Sequence, residues 1–179
     1  MRERKAVRLF FALWPDQTVR RQLVSNLEYQ DIDFNHCRLV SSNNFHMTLH
    51  FIGNTSLDEM ACLERQASAV SAEPFNLMID NSGYFKKPKV IWFACRQAPQ
   101  ALYDLHQALG QQISQCAFEP EQRPYSPHIT VVRKINTEPP VVPLKPVPWV
   151  VDRFVLIESI SIPGGVRYQI RKSYPLSGA

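Results

Sequence analysis

Two short segments carry residue types able to do acid–base chemistry: "FHMTLHFIG" (45–53) and "PHITV" (127–131). Each contains His-x-Thr, His46 with Thr48 and His128 with Thr130. Imidazole both accepts and donates a proton near neutrality, with an ordinary pKa of about 6.5. Two imidazoles can divide the work of an in-line displacement at phosphorus. One takes a proton from the attacking hydroxyl or water, and the other returns a proton to the leaving oxygen on the opposite side. Threonine hydroxyls on the same face can donate hydrogen bonds to the non-bridging oxygens as charge develops. A lone His-x-Thr has a plainer reading, the polar side of a half-exposed strand. Two copies, about eighty residues apart, point instead to a duplication that could bring both pairs to one cleft.

The elements that position these residues follow from periodicity. As a strand, "FHMTLHFIG" sends His46, Thr48 and His50 to one face and Met47, Leu49 and Phe51 to the other. As a helix it would set His46 and His50 one turn apart, like a zinc pair. Thr, Phe and Ile favour the strand, which the Gly53-Asn54 turn signal ends. His50 then lies about 13 Å along the strand from His46, poor geometry for a shared metal, and belongs at the cleft rim. His36 and His106 read as ordinary surface or core histidines.

Strands are predicted at 6–13, near "CRLV", at 75–80 and 90–95 as a hairpin or meander, at 128–133, 150–160 and 167–176. Pro163-Gly164-Gly165 makes the last turn. A helix follows Pro15-Asp16 to about residue 28. A second opens at a Ser56/Glu59 capping box, with Met60, Leu63, Ala67 and Val70 inward. A third spans about 98–117, with Leu102, Leu105, Leu109 and Ile113 inward. Consecutive strands joined by short turns argue for an α+β fold with mainly antiparallel sheet. The proline-dense "PPVVPLKPVPW" (139–149) reads as a stiff connector rather than a docking peptide.

The 179-residue length suits one domain, and no apolar run approaches the ~18 residues of a membrane helix. The basic-then-apolar start lacks a cleavage site, so a cytoplasmic protein is expected. Cys37, Cys62, Cys95 and Cys116 stand singly, without a CxxC pair, and read as reduced structural thiols. A net charge of +4 suits an anionic partner such as RNA or a phosphate ester. Neither a P-loop nor a GxGxxG is present, so no nucleotide cofactor is indicated.

The stretches "RLFFAL", "SSNNFHMTLHFIG", "KPKVIWF", "RPYSPHITVVR" and "LIESIS…RYQIRKSYPL" together resemble the two-histidine (2H) phosphoesterases. Within these, the chain is most similar to the RNA 2′,3′-cyclic phosphodiesterases, also called bacterial 2′-5′ RNA ligases. The resemblance implies a single bilobal domain over 1–179, pseudo-symmetric, with two mostly antiparallel sheets facing across a cleft and helices outside. It implies His46, Thr48, His128 and Thr130 as the catalytic set, with His128 as base and His46 as acid during hydrolysis. Rate against pH should then be bell-shaped with limbs around neutrality. Arg133 matches an arginine facing the nucleotide and Phe10 an aromatic near the base. Tyr125 stands where phenylalanine is usual, beside the substrate, Phe45 replaces a leucine, and a tryptophan often found before the first motif is missing. The implied substrates are RNA with 2′,3′-cyclic phosphate ends or small cyclic nucleotides, hydrolysed by a monomer without metal or cofactor, with 2′-5′ joining as the reverse reaction. Two alternatives stay open: an RNA- or nucleotide-binding module with a non-catalytic cleft, and a metallohydrolase built on His46, His50 and carboxylates.

Overall fold

Hydrophobic alternation and cap signals build most of the elements where the sequence puts them. In the computed structural model, residues 6–140 and 142–178 are described. In chain order the elements are β1 (Val7–Leu13), α1 (Gln17–Glu28), β2 (Arg38–Leu39), β3 (Met47–Thr55), α2 (Leu57–Ala67), β4 (Phe75–Ile79), β5 (Asn81–Phe85), β6 (Val90–Ala94), α3 (Gln100–Ile113), β7 (Ile129–Arg133), β8 (Val147–Val151), β9 (Arg153–Ile162) and β10 (Gly165–Pro175). Asp16 caps α1 by accepting from the Val19 N–H at 2.8 Å. Ser56 and Glu59 form a reciprocal capping box on α2.

The strands assemble into an eight-stranded antiparallel sheet, β10-β9-β1-β3-β7-β6-β5, with β2 also on β7. Its two four-stranded halves, β10-β9-β1-β3 and β2-β7-β6-β5, join through one pair, Met47 opposite Ile129. A separate ribbon pairs β4 with β8. One face of the sheet is covered by the helices and this ribbon over a core that includes Leu9, Phe11, Leu13, Met47, Ile129 and Leu105. On the other face of β1, Phe10 and Ala12 pack with Val155 and Ile157 in a small second cluster, flanked by Trp14 and Tyr168.

Several sequence expectations are corrected. The segments at 75–80 and 90–95 do not form a hairpin: β6 turns back on β5, whereas β4 leaves for the ribbon. The 150–160 run is two strands, split at Asp152. Gly53 does not end its strand. Its φ of +89° sits beside a register shift, and pairing resumes as Asn54 meets Arg8 and Thr55 meets Val7. The second shift leaves Leu49 without a partner between the Phe11–His50 and Ala12–Thr48 pairs. This bulge breaks the alternation, so His50 turns to the core rather than the cleft rim and is 4 % exposed. There His50 stacks on His106 at 4.1 Å and its Nε2–H donates to the His106 carbonyl.

The expectation of four reduced thiols also fails. Cys62 on α2 and Cys116, in the 3₁₀ turn after α3, form a disulfide, because α2 packs against the end of α3 with the two Cα atoms 5.8 Å apart. Cys37 and Cys95 remain free. The described part of the proline-dense segment is a connector only as far as Pro146; its last residues, Val147 to Trp149, already belong to β8. Asn26 on α1 holds the connector by donating to the Lys145 carbonyl and accepting from the Lys145 N–H.

Candidate active site

His46 and His128 each stand immediately before a strand, β3 and β7. Met47 and Ile129, fully buried and paired, point to the core. Their flanking residues therefore point to the opposite face, His46 and Thr48 from one strand, His128 and Thr130 from the other. Antiparallel pairing crosses the motifs: it sets His46 on the Thr130 side and Thr48 on the His128 side. One buried register pair thus brings the four residues together.

Both imidazoles are held alike. Nδ1 of His46 lies 2.7 Å from the Asn44 carbonyl, and Nδ1 of His128 lies 2.8 Å from the Ser126 carbonyl. A carbonyl can only accept, so Nδ1 carries the proton and Nε2 holds the lone pair. Neither Nε2 takes a hydrogen bond from the described residues. Each ring is thereby oriented with a free proton-accepting nitrogen.

Their surroundings differ. His46 sits among aromatic rings, with Phe10 at 4.9 Å, Tyr168 at 5.2 Å and Trp14 nearly parallel at 6.1 Å. Burial pushes its pKa down to about 4; the charges of Arg133, Arg20 and His128 add to this, and the Asn44 hydrogen bond opposes it. His128 has Phe85 edge-on at 5.1 Å, and both imidazoles are partly exposed.

Arg133 ends β7 exposed, and its charge is felt at His46. Phe10 is 4 % exposed. It walls His46 and leaves little ring face for a base, because β1 lies between β3 and β9. Tyr125 stacks on His106 at 3.9 Å and donates from its hydroxyl to the Thr48 carbonyl at 2.9 Å. Its ring also borders the cavity beside His128.

Arg20, Trp14, Tyr168 and Asn44 escaped the sequence reading. Arg20 is buried, its guanidinium 4.6 Å above the Trp14 ring, and it donates to the Pro15 and Ser42 carbonyls. Desolvation lowers its pKa to about 10, so it stays charged. Asn44 donates from its side chain to the Val166 carbonyl, tying the His46 support to β10. Trp14 was within reach, since Phe10, Ala12 and Trp14 alternate along β1. Arg20 and Tyr168 carry no local signal.

Among the described residues, no group of three His, Cys, Asp or Glu is clustered to hold a metal ion. A family model described as the 2′-5′ RNA ligase superfamily matches residues 15–161. The chain belongs to that superfamily. It is similar to the RNA 2′,3′-cyclic phosphodiesterase of Escherichia coli strain K12, with 29 % identity over 95 % of this chain and 97 % of the relative. The RNA 2′,3′-cyclic phosphodiesterase of Thermus thermophilus is also 29 % identical, over 96 % of this chain and 91 % of that one. Among solved structures, E. coli LigT complexed with 3′-AMP superposes with a TM-score of 0.90 at 28 % identity, covering 97 % of this chain and 99 % of that chain. The α+β 2H phosphoesterase fold implied by the resemblance is therefore the fold of this superfamily member.

Proposed function

We propose that the protein is an RNA 2′,3′-cyclic phosphodiesterase, which opens a 2′,3′-cyclic phosphate end to a 2′-phosphomonoester. The observation that carries this reading is the pairing of Met47 with Ile129, which sets two identically supported histidines and two threonines on one surface. Relatives named as RNA 2′,3′-cyclic phosphodiesterases over nearly the whole chain support it.

In the reaction, one histidine takes a proton from water as the water oxygen attacks phosphorus. The bond from phosphorus to the 3′-oxygen breaks, and the other histidine protonates that oxygen. Thr48 and Thr130 donate to the non-bridging oxygens, and Arg133 balances their charge. His46, neutral at pH 7 in the free protein, is already in the base form. This supports His46 as base and His128 as acid, the reverse of the assignment that the resemblance carried. The same steps with a 5′-hydroxyl in place of water as the attacking group give a 2′-5′ link, and run backwards they cleave that link to a 2′,3′-cyclic phosphate and a 5′-hydroxyl.

The chemistry needs no divalent cation: neither "NNFHMTLHFIGN" nor "RPYSPHITVVRK" contains an acid to hold one. Among the described residues no helix is long and apolar enough to cross a membrane. We take the protein to be a single bilobal domain acting as a cytoplasmic monomer on RNA ends and small cyclic nucleotides. The test is incubation with an oligoribonucleotide ending in a 2′,3′-cyclic phosphate. A 2′-phosphate product is expected; an unchanged end that is nonetheless bound would favour a non-catalytic binding module.

A further inference from the structure

Among the described residues, Arg20 is the only arginine, lysine, aspartate or glutamate that is buried, at 3 % exposure. Burying a guanidinium is costly unless its donors find acceptors. Here the cost is only partly offset. Nε donates to the Pro15 carbonyl at 2.8 Å and Nη1 to the Ser42 carbonyl, and Asp16 lends an opposite charge. Nη2 is buried with no partner among the described residues. An apolar side chain of similar size would pack α1 against its neighbours at less cost. What the guanidinium touches explains its presence. Pro15 follows Trp14, whose ring centre lies 4.6 Å from the guanidinium and which stands nearly parallel to His46. Ser42 opens the 3₁₀ turn Ser42–Asn44, and the Asn44 carbonyl at its other end holds Nδ1 of His46.

We propose that Arg20 is a positioning residue for His46: it ties the chain after β1 to the Ser42–Asn44 turn and so fixes the imidazole against Trp14 and on the Asn44 carbonyl. A planar guanidinium donates in two directions at once and keeps a flat face for the Trp14 ring, which an ammonium does not. Its charge acts on the same imidazole. Arg20 from α1, with Arg133 of β7 and His128 just before it, favours the neutral ring, while Tyr168 on β10 faces it edge-on. His128 rests on the Ser126 carbonyl, and no buried cation backs it among the described residues. The device therefore belongs to one histidine of the pair.

This role rests on the cyclic phosphodiesterase reading, and two readouts keep the two apart. One is steady-state turnover of 2′,3′-cyclic AMP. The other is titration of the His46 Cε1–H resonance, identified by its loss in His46→Ala, which needs no turnover. Arg20→Lys keeps the charge and loses the fork. Its kcat should fall about tenfold with KM within about twofold, as expected of a displaced proton-transfer group. Arg20→Gln loses the charge as well, so its kcat should fall at least as far. Its His46 titration should move up from about 4, by about 0.5 or more in pH and further than in Arg20→Lys. Trp14→Leu, at a partly exposed position, carries the test if neither arginine variant folds, and should lower kcat several-fold. Variants that melt lower but keep the wild-type kcat and His46 titration overturn the positioning role, as does a loss confined to KM. A wild type that leaves the cyclic phosphate intact overturns the activity instead, and the resonance still decides whether Arg20 acts on His46.

Discussion

His46 and His128 share one backbone support and differ in their neighbours. Burial among Phe10, Trp14 and Tyr168, together with nearby positive charges, holds His46 at about 4. A base must be deprotonated to act, so activity gained by His46 losing its proton rises through its own pKa. The ascending limb of kcat/KM against pH should fall near pH 4, well below the neutral limb expected from unperturbed imidazoles. A limb near 6.5 would show that His46 is not the base or is not depressed. The role proposed for Arg133, exposed at the end of β7, is to balance the phosphate's charge and not to transfer a proton. Arg133→Ala should raise KM about tenfold with kcat nearly unchanged; a drop in kcat alone would give it a transition-state role instead.

At the scale of elements, β3 and β7 decide the site and the bulge in β3 decides what supports it. Tyr125 crosses from the second half of the chain to the Thr48 carbonyl, and stacked His106 and His50 back it. Tyr125→Phe keeps the stack and removes the hydroxyl. It should cost about 1 kcal/mol of stability and lower kcat several-fold by loosening Thr48, measured by thermal unfolding and steady-state kinetics. Wild-type values for both would make the hydrogen bond irrelevant to the site. The two His-x-Thr motifs were legible because period-two alternation holds at 46–48 and 128–130 and each copy repeats the other. His50 was not, since one unpaired residue, Leu49, inverts the face beyond it and nothing local marks the bulge. Likewise β4 and β6 look like hairpin partners, but β8, about seventy residues from β4, takes β4 by long-range pairing that no local pattern encodes. Phe10 shows the same limit, because its type and position suggested substrate contact while its depth of burial depends on the neighbouring strands.

Across the whole molecule, three histidines are held below their ordinary pKa by burial: His46 and His106 to about 4, and His50 in the same direction. In the unfolded chain each takes up its proton near 6.5. Between those values the unfolded state binds more protons than the folded one, so stability is flat above about pH 6.5 and falls as pH drops towards 4. The melting temperature should decrease by several degrees between pH 7 and pH 4.5; a constant value would mean that the three rings are charged or freely hydrated in the fold.

The central claim is that two histidines, brought together by one strand pair, turn over a cyclic phosphodiester without a metal. It is tested most directly by assaying 2′,3′-cyclic AMP after exhaustive dialysis against EDTA, with wild type, His46→Ala and His128→Ala side by side. The chelated wild type should keep its full activity and gain nothing from added Mg²⁺, Mn²⁺ or Zn²⁺, while each variant loses at least about 10²-fold with its fold intact. Activity lost on chelation and restored by one metal, or a single variant that keeps near wild-type turnover, would contradict the account.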